Sequence, residues 1–194
     1  MRRDGAALPS GAMLTHFTRA SRQGGALDNL IAILREGVVR GSSRMVRNKS
    51  SVVCLFDASL SDLARALAPR NRRRYQPFGI ALDKRYASRM GARPVIYMPW
   101  DEARRIIPEH ELWRVVHLDI ERVPAIDWSF EREWRIAGDL RLAARHAVAL
   151  VESWRDADAI FEHFDGHPPC AGVLPLQDVF GARDVSGARN IAGS

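Results

Sequence analysis

The chain has 194 residues, 46% of them hydrophobic and 27% charged, and a net charge of +6. That length carries one domain with a real core but is short for two, and the composition is that of an ordinary globular protein. No apolar run approaches the roughly 20 residues a membrane-spanning helix needs, and no apolar segment follows Arg2 and Arg3 to make a secretion signal.

Residues 1–12 read as a flexible leader, 13–180 as one domain and 181–194 as a disordered tail. A strand from Met13 to Thr18 opens the domain, followed by a polar loop through Gly25. Leu27, Leu30, Ile31 and Leu34 recur at helical spacing, and Gly37 is placed to end that helix. The stretch 41–51 is polar and basic and reads as a loop. Val52 to Phe56 is a strand, and Ser59 with Asp62 forms a capping pattern for a helix through Leu67, stopped by Pro69. Phe78 to Leu82 is a further strand. A short helix over 85–90 leads to a strand over Pro94 to Met98. A helix over 101–107 is broken by Pro108, and Trp113 to Leu118 reads best as a strand joined to it. Ala147 to Val151 is a strand, and an amphipathic helix covers Asp156 to Phe164. Many short strands with few helices between them indicate an α+β fold rather than a doubly wound sheet.

Cys54 and Cys170 are the only cysteines. No disulfide framework is implied, and a reducing cytoplasm is the expected location. Cys54, inside an apolar run, reads as a small buried hydrophobe. Lys49 and Lys84 are the only lysines, so 29 − 2 = 27 basic residues are arginines; such a bias reflects base composition as readily as phosphate binding. One cluster, Arg70, Arg72, Arg73 and Arg74 beside Tyr75, has the chemistry to grip a nucleic-acid backbone or a pyrophosphate, because guanidinium forks match phosphate oxygens. A solvated loop is the competing reading.

The segment from Asp127 to Ile136 carries the most chemistry. Phe130, Trp134 and Ile136 share one parity, and Glu131, Glu133 and Arg135 share the other. A strand through them puts the bulky residues toward a core and both carboxylates on the opposite face. Like charges at that distance are costly unless a cation or a ligand's hydroxyls use them. The alternative is a solvated face with Arg132 and Arg135 as partners. His16 follows Leu14 on one face of the opening strand, where it either bonds a ligand or satisfies buried backbone. His163, His167 and Cys170 have zinc-like spacing, but Pro168 and Pro169 intervene and no fourth ligand is near, so no metal is expected. There is no Gly-rich phosphate loop and no nucleophile elbow.

Taken in order, His16-Phe17-Thr18, Asn29 to Gly37, Val53 to Asp57, Tyr75 to Ala81 with Lys84, Gly91 to Tyr97, and Trp128 with Glu131 to Arg135 resemble the AbiGi-type abortive phage-infection proteins over roughly residues 13–150. That family looks like a divergent branch of the ADP-ribosyltransferases, and the opening His-Phe-Thr also resembles the start of the DNA-targeting toxins of that class. The resemblance implies an α+β fold of split antiparallel and mixed sheets with flanking short helices. It implies NAD as substrate, held by His16 and Thr18, with Tyr75, or next Phe78, stacking on nicotinamide; Arg19 or the arginines of the 70–74 run have the charge to neutralise its pyrophosphate. Glu133 would bond the nicotinamide ribose and Glu131 would act on the acceptor, a nucleic acid or a protein. No Ser-Thr-Ser strand is evident, although Ser50 and Ser51 precede Val52.

Two other functions stay open. One is a non-catalytic antitoxin or regulatory component of an abortive-infection pair that binds a toxin partner or DNA. The other is a ribonuclease using His16, Glu131 and Glu133.

Overall fold

In the computed structural model residues 12–22, 24–44, 46–57, 62, 67 and 75–179 are described. The expected leader (save Ala12) and tail, most of the helix expected from Ser59 to Leu67, and the cluster Arg70, Arg72, Arg73 and Arg74 lie outside the described residues.

The elements run β1 (Met13–Phe17), α1 (Ala26–Glu36), β2 (Val38–Val39), β3 (Val52–Phe56), β4 (Gly79–Asp83), α2 (Lys84–Arg89), β5 (Arg93–Pro94) and β6 (Ile96–Met98). They continue with α3 (Trp100–Ile106), a 3-10 helix (Glu109–Arg114), β7 (Val115–His117), a 3-10 turn (Ser129–Glu131), β8 (Glu133–Ala137), β9 (Leu140–Arg141), a second 3-10 turn (Ala144–His146), β10 (Ala147–Val151), α4 (Trp154–His163) and β11 (Gly172–Pro175). The fold is α+β, with a large mixed sheet and short helices.

Seven strands form that sheet in the order β11-β10-β4-β1-β3-β8-β5. Within this sheet, among the described residues, only β10 and β11 pair in parallel, as a strand returned by the crossover helix α4 must. One face is apolar through Leu14, Val53, Leu55, Ile80, Leu82 and Ile136, and it packs against Leu30 and Leu34 of α1 and Ala157 and Ile160 of α4. The other face carries Ala81, Val148 and Leu150, against which Met13, Phe17 and Tyr75 pack.

Local chemistry fixes the helix ends. Asp28 Oδ2 accepts the Gly25 amide at 2.8 Å, and Gly37 closes α1 in the left-handed conformation at φ 65°, where glycine avoids a steric cost. Ser153 and Asp156 cap α4 reciprocally, each side chain accepting the other's amide. That helix therefore starts at Trp154, two residues before the expected start.

The centre of the sheet is its thinnest join. β1 and β4 pair over five positions and β3 and β8 over five, but β1 meets β3 at one paired position, Thr15 with Phe56. β11-β10-β4-β1 and β3-β8-β5 are thus joined by this one pairing within a single sheet, a narrow join termed the division of the sheet. Gly79 lies beside the division, and a Cβ there would come within 2.2 Å of the His16 carbonyl oxygen. Only glycine lets β4 run this close to His16.

Candidate active site

Phe56 pairs with Thr15 on one side and with Glu133 on the other, so one row of residues crosses the division of the sheet and ends on Glu133. The expected alternation from Phe130 to Ile136 holds only for its second half. Trp134 and Ile136 pack in the core, but Phe130 is 57% exposed. Arg132 explains the difference: its left-handed backbone, φ 44°, ends the 3-10 turn and reverses the parity before β8 begins at Glu133. Arg132 is held there by its Nε, which donates to the Asp57 carbonyl at 2.7 Å.

Glu131 is therefore not a neighbour of Glu133 on one strand face, and neither carboxylate is solvated; each is 8% exposed. The Tyr75 hydroxyl donates to Glu131 Oε1. Arg135 grips Glu133 with Nε to Oε1 at 2.8 Å and Nη2 to Oε2 at 3.3 Å. Its remaining nitrogen, Nη1, donates to the Trp113 carbonyl at 2.8 Å and the Val115 carbonyl at 3.2 Å. Arg135 is itself 4% exposed. Burial opposes its charge, and the Glu133 carboxylate more than offsets that, so the guanidinium titrates above its usual range. A bidentate fork between buried partners fixes the plane of the carboxylate as well as its charge.

Tyr97 completes the surround. Its hydroxyl accepts the Glu133 amide at 2.9 Å. Burial, with the nearby carboxylates of Glu133 and Glu131, pushes that hydroxyl up to about 12, against the pull of the Glu133 amide. Phe17, Phe56 and Tyr75 form a ring cluster with centroids 5.7–6.0 Å apart, which walls the Tyr75 side of the site.

Cys54 is not the buried hydrophobe expected. It is exposed, opposite Arg135 across β3 and β8, and its thiol interacts with Glu133 and Arg135. Surrounding protein nevertheless pushes the thiol up to about 12, chiefly by desolvation. His16 approaches the backbone of the same residue from the other face of the sheet, with Nδ1 2.9 Å from the Cys54 carbonyl oxygen. A carbonyl only accepts, so Nδ1 carries the proton; burial lowers the His16 pKa, which keeps the ring neutral and makes Nε2 an acceptor. His16 has the strand parity of Leu14, and Glu133 that of Thr15 and Phe56. The two side chains therefore leave opposite faces of the sheet: Cys54 touches His16 through its backbone and Glu133 through its side chain.

The other expected residues are more scattered. The Thr18 hydroxyl is buried and donates to the Ala26 carbonyl at 3.0 Å, fixing the start of α1. Arg19 is exposed, and its carbonyl accepts Asn29 Nδ2 at 2.6 Å. Phe78 packs against the α1 and α4 side of the core, away from the Tyr75 cluster. Ser50 and Ser51 lie just before β3. His163 contacts Arg35 at 2.5 Å, and Cys170 donates to the Gly172 carbonyl at 3.2 Å. Among the described residues no three His, Cys, Asp or Glu side chains are placed to hold a metal ion, and no helix is long and apolar enough to cross a membrane.

Of the residues expected from sequence, the structure joins Tyr75 to Glu131 and leaves His16 on the opposite face from Glu133; Tyr97 and the contact of Cys54 with the carboxylate were not expected. The parity of Arg135 with Glu133 was the visible signal for their pairing; the pairing of Tyr97 with a strand-start amide has no signature in the sequence. The chain matches no protein-family model, no curated protein and no solved structure.

Proposed function

We propose that this chain is an NAD-dependent mono-ADP-ribosyltransferase of phage defence or of a toxin–antitoxin pair, acting in the cytoplasm. The observation that carries the reading is the position of Glu133, a buried carboxylate held in fixed orientation by Arg135 beside Cys54 and Phe56 of β3. The bond from Tyr75 to the second buried carboxylate, Glu131, supports it.

In this reaction the bond between ribose C1′ and the nicotinamide nitrogen breaks, and its electron pair leaves with nicotinamide. Positive charge builds on the ribose, and Glu133 stabilises it. A carboxylate offers about four lone-pair positions. Arg135 uses two, which leaves Glu133 able to accept from ribose hydroxyls while its geometry stays fixed. The acceptor's nucleophilic atom then bonds C1′ and gives its proton to Glu131. Tyr75 orients Glu131 through its hydroxyl and offers a ring to the nicotinamide.

One observation favours a second reading, a non-catalytic partner-binding component: Arg135 bonds both oxygens of Glu133 and damps the charge that catalysis would use. NAD binding separates the two. At a concentration of 100 times Kd a ligand stabilises the folded chain by about 2.7 kcal/mol, so a transferase melts several degrees higher with saturating NAD. No shift at millimolar NAD supports the binding module instead.

A further inference from the structure

Seven large hydrophobic side chains are prominently exposed among the described residues, and four of them fall within eleven positions: Ile120 at 68%, Val123 at 93%, Trp128 at 36% and Phe130 at 57%. The segment that carries them is well ordered by its own hydrogen bonds. Asp119 and Ile126 exchange both backbone hydrogen bonds, at 2.9 and 2.8 Å. Asp119 Oδ1 accepts the Arg122 amide at 3.1 Å, Asp127 Oδ1 accepts the Ser129 amide at 2.8 Å, and the Glu131 amide reaches the Trp128 carbonyl at 3.0 Å. The Trp128 and Phe130 rings tilt by 52° with centroids 6.1 Å apart. Apolar groups on a loop fixed in this way face water at a cost, and the loop loses little entropy when something covers it.

Charge identifies what covers it. Positions 119–130 hold Asp119, Glu121 and Asp127 against Arg122, so the segment carries 1 − 3 = −2 in a chain of net +6. Phosphates of a nucleic acid would meet local repulsion there. A second copy would oppose one −2 loop with another across a two-fold axis. We propose that residues 119–130 form a docking surface for a partner protein that presents apolar side chains flanked by arginine or lysine. Phe130 is followed in the chain by the buried Glu131 that Tyr75 holds, so the docking segment is continuous with the turn that carries that carboxylate. The proposal does not depend on the transfer reaction.

The test uses the full chain and a fluorescein-labelled peptide of alternating arginine and leucine, with a glutamate–leucine peptide and a single-stranded oligonucleotide as comparisons, read by fluorescence anisotropy. The arginine–leucine peptide binds saturably despite the positive net charge of the protein. Trp128→Ala with Phe130→Ala weakens that binding at least tenfold, and Glu121→Gln with Asp127→Asn weakens it several-fold. Glu133→Gln leaves it unchanged, which separates docking from chemistry. These four surface side chains are exposed, and unchanged melting temperatures establish that the variants are folded. Absence of arginine–leucine binding overturns the proposal, as does binding indifferent to the aromatic pair. So does loss of oligonucleotide binding or of self-association in the aromatic variant, which would assign the surface to nucleic acid or to a second copy.

Discussion

Replacing Arg135 with methionine tests the electrostatic centre of the site. The side chain it removes is 4% exposed and makes four hydrogen bonds, two to Glu133 and two to the carbonyls of Trp113 and Val115. Methionine fills similar volume but leaves Glu133, 8% exposed, as an uncompensated buried charge. Breaking one side of such a pair costs about 3–5 kcal/mol. Glu133→Gln likewise leaves a buried charge, that of Arg135, but the amide oxygen and the Trp113 and Val115 carbonyls still accept from the guanidinium, so its cost is expected at the low end of that range, about 3 kcal/mol. Removing both groups, Glu133→Met with Arg135→Met, leaves no bare charge and is expected to cost less than Arg135→Met alone, a strong departure from additivity. Urea unfolding followed by tryptophan fluorescence measures all three. Arg135→Met within about 1 kcal/mol of wild type, or a double variant that costs the sum of its parts, would refute a buried, mutually dependent pair.

Two further perturbations follow from the geometry around His16. Its pKa is lowered by burial from an ordinary value of 6.5. The ring is neutral in both states above that value, and falling pH protonates the unfolded chain first. Stability is thus present above pH 6.5 and declines as pH drops toward the lower folded value, by up to about 1.4 kcal/mol per pH unit. Denaturant midpoints of wild type between pH 7 and 5 should fall more steeply than those of His16→Gln; parallel curves would contradict a buried neutral ring. Gly79→Ala places a Cβ 2.2 Å from the His16 carbonyl oxygen, a backbone atom that cannot swing away. It should cost roughly 1–3 kcal/mol or more, and a neutral result in thermal unfolding would mean that β1 and β4 are not so closely apposed.

Much of this arrangement was legible because strong local patterns drive it. The run from Val52 to Phe56 and that from Ala147 to Val151 are apolar, short and bounded by polar residues, and they form β3 and β10 with the expected limits. The helix ending at Gly37 was visible for the same reason: period and cap agree. The alternation around the two glutamates misled at Phe130, because one left-handed residue, Arg132, shifts parity without any glycine to announce it. Cys54 misled in the opposite way. Its apolar neighbours in β3 face the core, and an apolar run does not reveal that its middle residue faces the carboxylate. The strands β2 and β9, two residues each, are set by their partners rather than by propensity. The division of the sheet depends on a single long-range pairing, Thr15 with Phe56, which no local pattern encodes.

The central claim is that Glu133 serves the cleavage of NAD. Incubating the purified chain with NAD and quantifying free nicotinamide by chromatography tests it most directly, beside Glu133→Gln shown to be folded by circular dichroism. The account predicts nicotinamide release by wild type and a loss of at least about 100-fold in the variant, the scale of one preorganised electrostatic group. Wild type that neither releases nicotinamide nor is stabilised by saturating NAD would contradict it.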